Sequence, residues 1–253
     1  MSVDKGSDPG DGRHARRRYD LLPILRIQPT IGSRTRLALA RAISAAEARS
    51  QGSVVVLDAG CGRKSPLVRF RARIGRLVGV DQHPPEQPLP WLDGFLVVDL
   101  CRRVTPIRDE TFDLILSNFT LEHIVDPSAA MSNFYRWLKP GGTLVITTVN
   151  RRHPFVAAYL SLPEVVQRRF QPVVKASAAD AHPLVGACND PSSIRGALEV
   201  AGFSEVRLET VPNLARAWGR HLPWFLVGLA GDLIAQSAKS RRSTILAVGH
   251  RVD

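Results

Sequence analysis

Residues 53–58, Ser-Val-Val-Val-Leu-Asp, form an unbroken β-branched run that ends on an acid and leads into Ala59-Gly60-Cys61-Gly62. A strand apolar on both sides has to be covered on both faces, which points to a parallel sheet inside an α/β fold. Runs of the same kind recur at 76–81, 95–99, 112–117 and 143–148. Between them, Leu39, Ala42, Ile43 and Ala46 recur at helical spacing, and so do Met131, Phe134 and Trp137 within 127–138. Lys139-Pro140-Gly141-Gly142 reads as a turn that ends the second of these helices. The alternation predicts an open, mostly parallel sheet with helices on both faces. The crossover 82–91 carries four prolines and is expected to be a loop.

Beyond Asn150 the pattern weakens, and 153–181 is apolar and basic without a clear period. Residues 191–201 read as a helix closed by Gly202, 204–211 as a strand and 243–250 as a final strand.

The chemistry-bearing segment is the turn after the first strand. Gly60 and Gly62 allow a sharp turn and a close approach of a ligand to main-chain N–H groups, at the strand end where open α/β sheets bind ligands. A dinucleotide site calls for a third glycine where Ser65 stands. Asp58, directly before the turn, suits a ligand with a cationic end better than a pyrophosphate. Asp81 ends the second strand, where a carboxylate can accept hydrogen bonds from both ribose hydroxyls, and Asp99 ends the third. Three unpaired carboxylates on one sheet edge are costly as core packing.

LDAGCG at 57–62, VGVD at 78–81, VVDL at 97–100, TFDLILSNFTLEHI at 111–124 and LKPGGTLVITT at 138–148 occur in this order. With that order and spacing the chain resembles the class I S-adenosylmethionine-dependent methyltransferases of the type-11 subgroup, from about 53 to 150. The resemblance implies a Rossmann-like sheet with an antiparallel last strand and S-adenosyl-L-methionine as cofactor. Asp58, Ala59, Gly60, Cys61 and Gly62 would then surround the methionine end, Asp81 and Gln82 the ribose, Asp99 and Leu100 the adenine, with Asn118 near the sulfonium. Methyl transfer from a sulfonium is an in-line displacement that needs positioning above all. Should the acceptor require a base, His123 after the fourth strand and His153 after the fifth are the expected catalytic residues. No N-P-P-[YF] run follows the fourth strand, where Ser117-Asn118-Phe119-Thr120 stands, which weighs against base amines as acceptors.

On this reading residues 1–18 are a disordered basic tail ending in Arg16-Arg17-Arg18, and 19–253 form the methyltransferase domain. Its cofactor half is 53–150 and its substrate half 151–253. The latter holds an apolar insert at 212–242, flanked by cations, that fits either a helix in a membrane interface or a helix packed on the body as a lid or core extension; as a lid it would line the substrate side and suggest a greasy acceptor. The net charge of +11 invites an RNA partner, yet only five of the 34 basic residues are lysine, a bias that GC-rich codons alone produce. Cys61, Cys101 and Cys188 form no C-x-x-C pair, so a reducing compartment and no metal are expected. The first twenty residues lack the apolar core of a signal peptide, and the protein is expected to be cytoplasmic, with peripheral membrane contact through 212–242 as the variant. The leading expectation is methylation of oxygen or carbon on a small or lipid-like acceptor. The alternatives are an RNA methyltransferase and a non-catalytic membrane- or partner-binding protein on the same fold.

Overall fold

The computed structural model describes residues 30–50, 53–163, 165–167, 169, 185, 187–219 and 222–252. The expected basic tail, 1–18, lies outside them.

Helix α1, Ile31–Arg49, starts at a capping box in which Thr30 and Ser33 satisfy each other's backbone N–H groups. Five parallel strands follow: β1 Val55–Ala59, β2 Arg76–Asp81, β3 Gly94–Val97, β4 Phe112–Asn118 and β5 Leu138–Val149. A 3-10 helix, Pro66–Arg73, joins β1 to β2, and the proline-rich stretch from β2 to β3 holds no helix. Helix α2, Pro127–Trp137, precedes β5, with Asp126 capping its first turn and proline at its start, where the missing N–H costs nothing. After β5 come α3 Pro154–Leu160, α4 Pro191–Val200, β6 Ser204–Val211, α5 Leu214–Ala217, α6 Leu222–Ile234 and β7 Thr244–His250.

The seven strands lie in the order β3-β2-β1-β4-β5-β7-β6, with β7 antiparallel to both of its neighbours. This is the Rossmann-like sheet with an antiparallel last strand. Alternate residues of the buried strands feed two cores. Leu57, Ile115, Leu144 and Ile146 pack with Phe134 and Trp137 of α2 and Leu198 of α4. Val56, Leu114, Leu116 and Val145 pack with Leu39, Ile43 and Ala46 of α1. The continuous apolar runs thus exist because both faces are covered.

Three local expectations are corrected. Lys139-Pro140-Gly141-Gly142 is no closed turn: it is the start of β5, where Gly141 takes φ +71° and donates to the Arg251 carbonyl at 3.0 Å. The third strand stops at Val97, two residues short of Asp99. Within 153–181 a helix does form at 154–160, short enough to leave no readable period, and 170–184 lie outside the described residues.

Candidate functional site

Strand order reverses between β1 and β4, so the chain leaves their carboxyl ends in opposite directions and a crevice opens there. A cleft of about 740 Å³ occupies that place. Four of the seven strands contribute to it: Gly60, Cys61 and Gly62 after β1, Asp81 and Gln82 at β2, Asp99 and Leu100 after β3, Asn118 at the end of β4. The fold thereby brings together eight of the ten expected cofactor residues, although they come from four separate strands.

The geometry of the turn follows from its glycines. Gly60 has φ +73° and Gly62 φ +50°, left-handed backbone that a side chain disfavours. A Cβ on Gly60 would also stand 2.3 Å from Thr120 Cγ2 and Oγ1. Thr120 reaches over the turn and donates to the carbonyls of Ala59 and Gly60 at 3.2 and 3.3 Å. Asp81 Oδ2 accepts the Gly62 N–H at 3.2 Å, tying the end of β2 to the loop after β1. Asp99 Oδ1 accepts from the Cys101 N–H at 2.9 Å, and Asn118 Oδ1 accepts the Thr147 hydroxyl at 2.7 Å. Both side chains are held in place by these bonds while still lining the cleft.

Asp58 and Ala59 sit behind the wall, not in it. Asp58 is 1% exposed, and its Oδ2 has no hydrogen-bond partner among the described residues. Burial pushes its carboxyl up to about 7, the Ser65 hydroxyl acting the other way and the Asp81 charge adding to the rise. A buried oxygen lacking a donor is what a cationic ligand end in the turn would satisfy, and so the residues present fit such a group. Cys61 is pushed up to about 12 by burial and by Asp58 and Asp81, so its thiol stays protonated and is no nucleophile.

The linkage of Asp58 has a definite sign. Its folded-state value lies above the ordinary 3.8, so the stability it contributes is complete below about pH 4 and is lost as pH rises through about 7. With Asp58 as the proposed partner of the cofactor's cationic end, affinity for S-adenosylmethionine is expected to rise up to about tenfold per pH unit below about pH 7 and then level off. Titration calorimetry across that range checks it, and Asp58→Asn should flatten the curve.

His123 lines the cleft beside Ile124 and Val125. The structure corrects the second expected base. His153 is 0% exposed, lines no part of the cleft, and accepts the Phe155 N–H on Nδ1 as the cap of α3. Burial lowers its pKa, and its Nε2 stands 3.9 Å from Asp232 of α6. It acts in packing because α6 closes over it. The described residues of the insert do not line this cleft.

Sequence reasoning missed Phe119 and Thr120. Phe119 has φ +55°, rare for a bulky side chain, and donates its N–H to Thr147 at 2.8 Å. Only the pairing of β4 with β5 and the approach of Thr120 to Gly60 reveal them, and no local signal marks either.

A family model described as a methyltransferase domain matches residues 57–146. Demethylmenaquinone methyltransferase of Streptomyces griseus is 30% identical over 184 residues, 66% of this chain and 75% of that protein. The chain belongs to the class I S-adenosylmethionine-dependent methyltransferases, in the type-11 subgroup. Ubiquinone biosynthesis O-methyltransferase of Cereibacter sphaeroides is 35% identical over 107 residues, 38% of this chain but only 41% of that relative. Phosphoethanolamine N-methyltransferase 2 of Haemonchus contortus, solved with phosphomonomethylethanolamine and S-adenosylhomocysteine, shares the fold at TM-score 0.51 and 16% identity, over 85% of this chain and 53% of that one. S-adenosylmethionine is the cofactor of this methyltransferase family. Among the described residues no group of three His, Cys, Asp or Glu side chains is placed to hold a metal.

Proposed function

We propose that the chain methylates an oxygen or carbon of a small, lipid-like acceptor that enters the cleft between Asn118 and the 121–125 turn. The observation that carries this reading is the composition of the cleft beyond Asn118, where Phe119, Ile124, Val125 and Val185 line it together with Thr120 and a single imidazole, His123. Apolar walls take an apolar acceptor at low cost, and one imidazole supplies a base near neutral pH. Two relatives named for quinone substrates support the same acceptor class.

In the proposed arrangement Asp81 and Gln82 hold the ribose, Asp99 and the Leu100 backbone face the adenine, and Gly60 and Gly62 admit the methionine end to the backbone. S-adenosylmethionine, when bound, supplies an electrophilic methyl group on a sulfonium. Phe119 and Ile124 shield the acceptor from water and orient it for in-line attack. His123 receives the proton that the acceptor hydroxyl or acidic carbon loses.

Incubation with methyl-labelled cofactor and fractionated cell extract tests the acceptor class. Label in the organic-soluble fraction is expected, and label confined to RNA would overturn it. With that acceptor in hand, His123→Ala should lower kcat by about 10²–10⁴ with cofactor affinity unchanged. Unchanged kcat would remove His123 from the mechanism.

A further inference from the structure

Helix α6 is seated inside out for a helix on a water-exposed surface. Its single ionisable side chain, Asp232, faces the body, where Oδ2 accepts the Ala215 N–H at 2.9 Å and Oδ1 accepts the Ser243 hydroxyl at 3.1 Å. Gly228 and Gly231 share that inward face. A Cβ on Gly228 would come 2.8 Å from the Ala215 backbone, and one on Gly231 2.8 Å from the Phe155 ring. These contacts hold the helix in one rotation.

The opposite face carries no polar side chain. Leu222, Pro223, Leu226, Val227, Ala230, Leu233 and Ile234 are exposed, with Leu226 at 53%, Leu233 at 54% and Ile234 at 62%. At 3.6 residues per turn these positions fill an arc of about 140° along a helix about 20 Å long. By contrast α1, which also has one face in water, exposes Arg36, Arg41 and Glu47 there. The fold uses only the inward side of α6, so the outward apolar side is left for something outside the fold.

The chain leaving α6 carries exposed cations at Lys239 and Arg241, and among the described residues neither is in an ion pair. An anionic surface meets both of them favourably, and the net charge of +11 adds long-range attraction.

We propose that α6 docks on an anionic lipid bilayer, its apolar arc in the headgroup–acyl boundary and Lys239 and Arg241 against lipid phosphates. Among the described residues no helix is long and apolar enough to cross a membrane, so the contact is peripheral.

Flotation of the full chain with phosphatidylcholine vesicles, with and without phosphatidylglycerol, tests this. Binding is expected with phosphatidylglycerol, weakened several-fold when salt rises from about 0.1 M to 0.5 M because the Debye length shrinks. Leu226→Glu with Ile234→Glu should reduce the bound fraction by about tenfold or more, since both charges would enter the acyl boundary. Lys239→Glu with Arg241→Glu should remove the preference for phosphatidylglycerol. Cofactor-induced thermal shifts should match the parent chain in each variant, which separates loss of docking from loss of the fold or of the cofactor site. No flotation with phosphatidylglycerol vesicles, equal flotation of the Leu226→Glu, Ile234→Glu chain, or a parent dimer in size-exclusion that this variant turns into monomer would each overturn the proposal.

Discussion

Asp81→Ala is expected to weaken S-adenosylmethionine binding by about 10²–10⁴-fold while the melting temperature of the free protein stays nearly constant. The proposed pair of hydrogen bonds from ribose hydroxyls to a carboxylate is worth roughly 1.5–3 kcal/mol each, which sets the size of the effect. Asp81 also accepts the Gly62 N–H, so its loss unpins the turn that receives the methionine end. The carboxylate is only partly buried, hence the small expected change in stability. Titration calorimetry on Asp81→Ala and Asp81→Asn checks both parts. Asn keeps an acceptor for Gly62 but loses the charge, so it should fall between the parent and Ala. A parent-like affinity in Asp81→Ala would remove Asp81 from the ribose role.

Gly60→Ala should damage the protein in two separable ways. Its φ of +73° costs any L side chain about 1–2 kcal/mol, and the new methyl would meet Thr120 at 2.3 Å. Overpacking of this kind typically costs 1–3 kcal/mol more, so a total loss of about 2–5 kcal/mol is expected in denaturant unfolding. Cofactor affinity should fall at least about 100-fold because the turn must open to relieve the clash. Thr120→Gly in the same chain removes the clash but not the left-handed strain. It should recover part of the stability, and a double-mutant cycle reads the coupling. Additive effects would show that Thr120 does not close over Gly60.

How much of the site could be read beforehand depends on how local each cause is. Asp58, Gly60, Gly62 and Asp81 follow directly from strand-end patterns, because a buried run followed by acid or glycine carries its meaning within a few residues. His123 lies in the turn after β4 and was legible for the same reason. His153 has equal local credentials, following β5 in sequence, yet it lies buried beneath α6. What removed it from the cleft is a helix far along the chain, whose glycines and Asp232 select one rotation through contacts with Ala215, Phe155 and Ser243.

The insert shows the same division. Its composition announces an apolar helix flanked by cations, but Leu222–Ile234 is apolar nearly all round, so periodicity assigns no inward face. Packing decided that, and turned the carboxylate in and the leucines out.

The opening run of valines and its successors determined by themselves that this chain forms a covered parallel sheet with acids and glycines at one edge. β-branched apolar residues reach that state through short-range preference and two-sided burial. Which of those edge residues meet in one cleft, which histidine reaches it and which side of α6 faces outward were decided by tertiary structure alone. Strand order, crossover packing and close backbone approach join residues far apart in the chain, and no local pattern encodes such a distance.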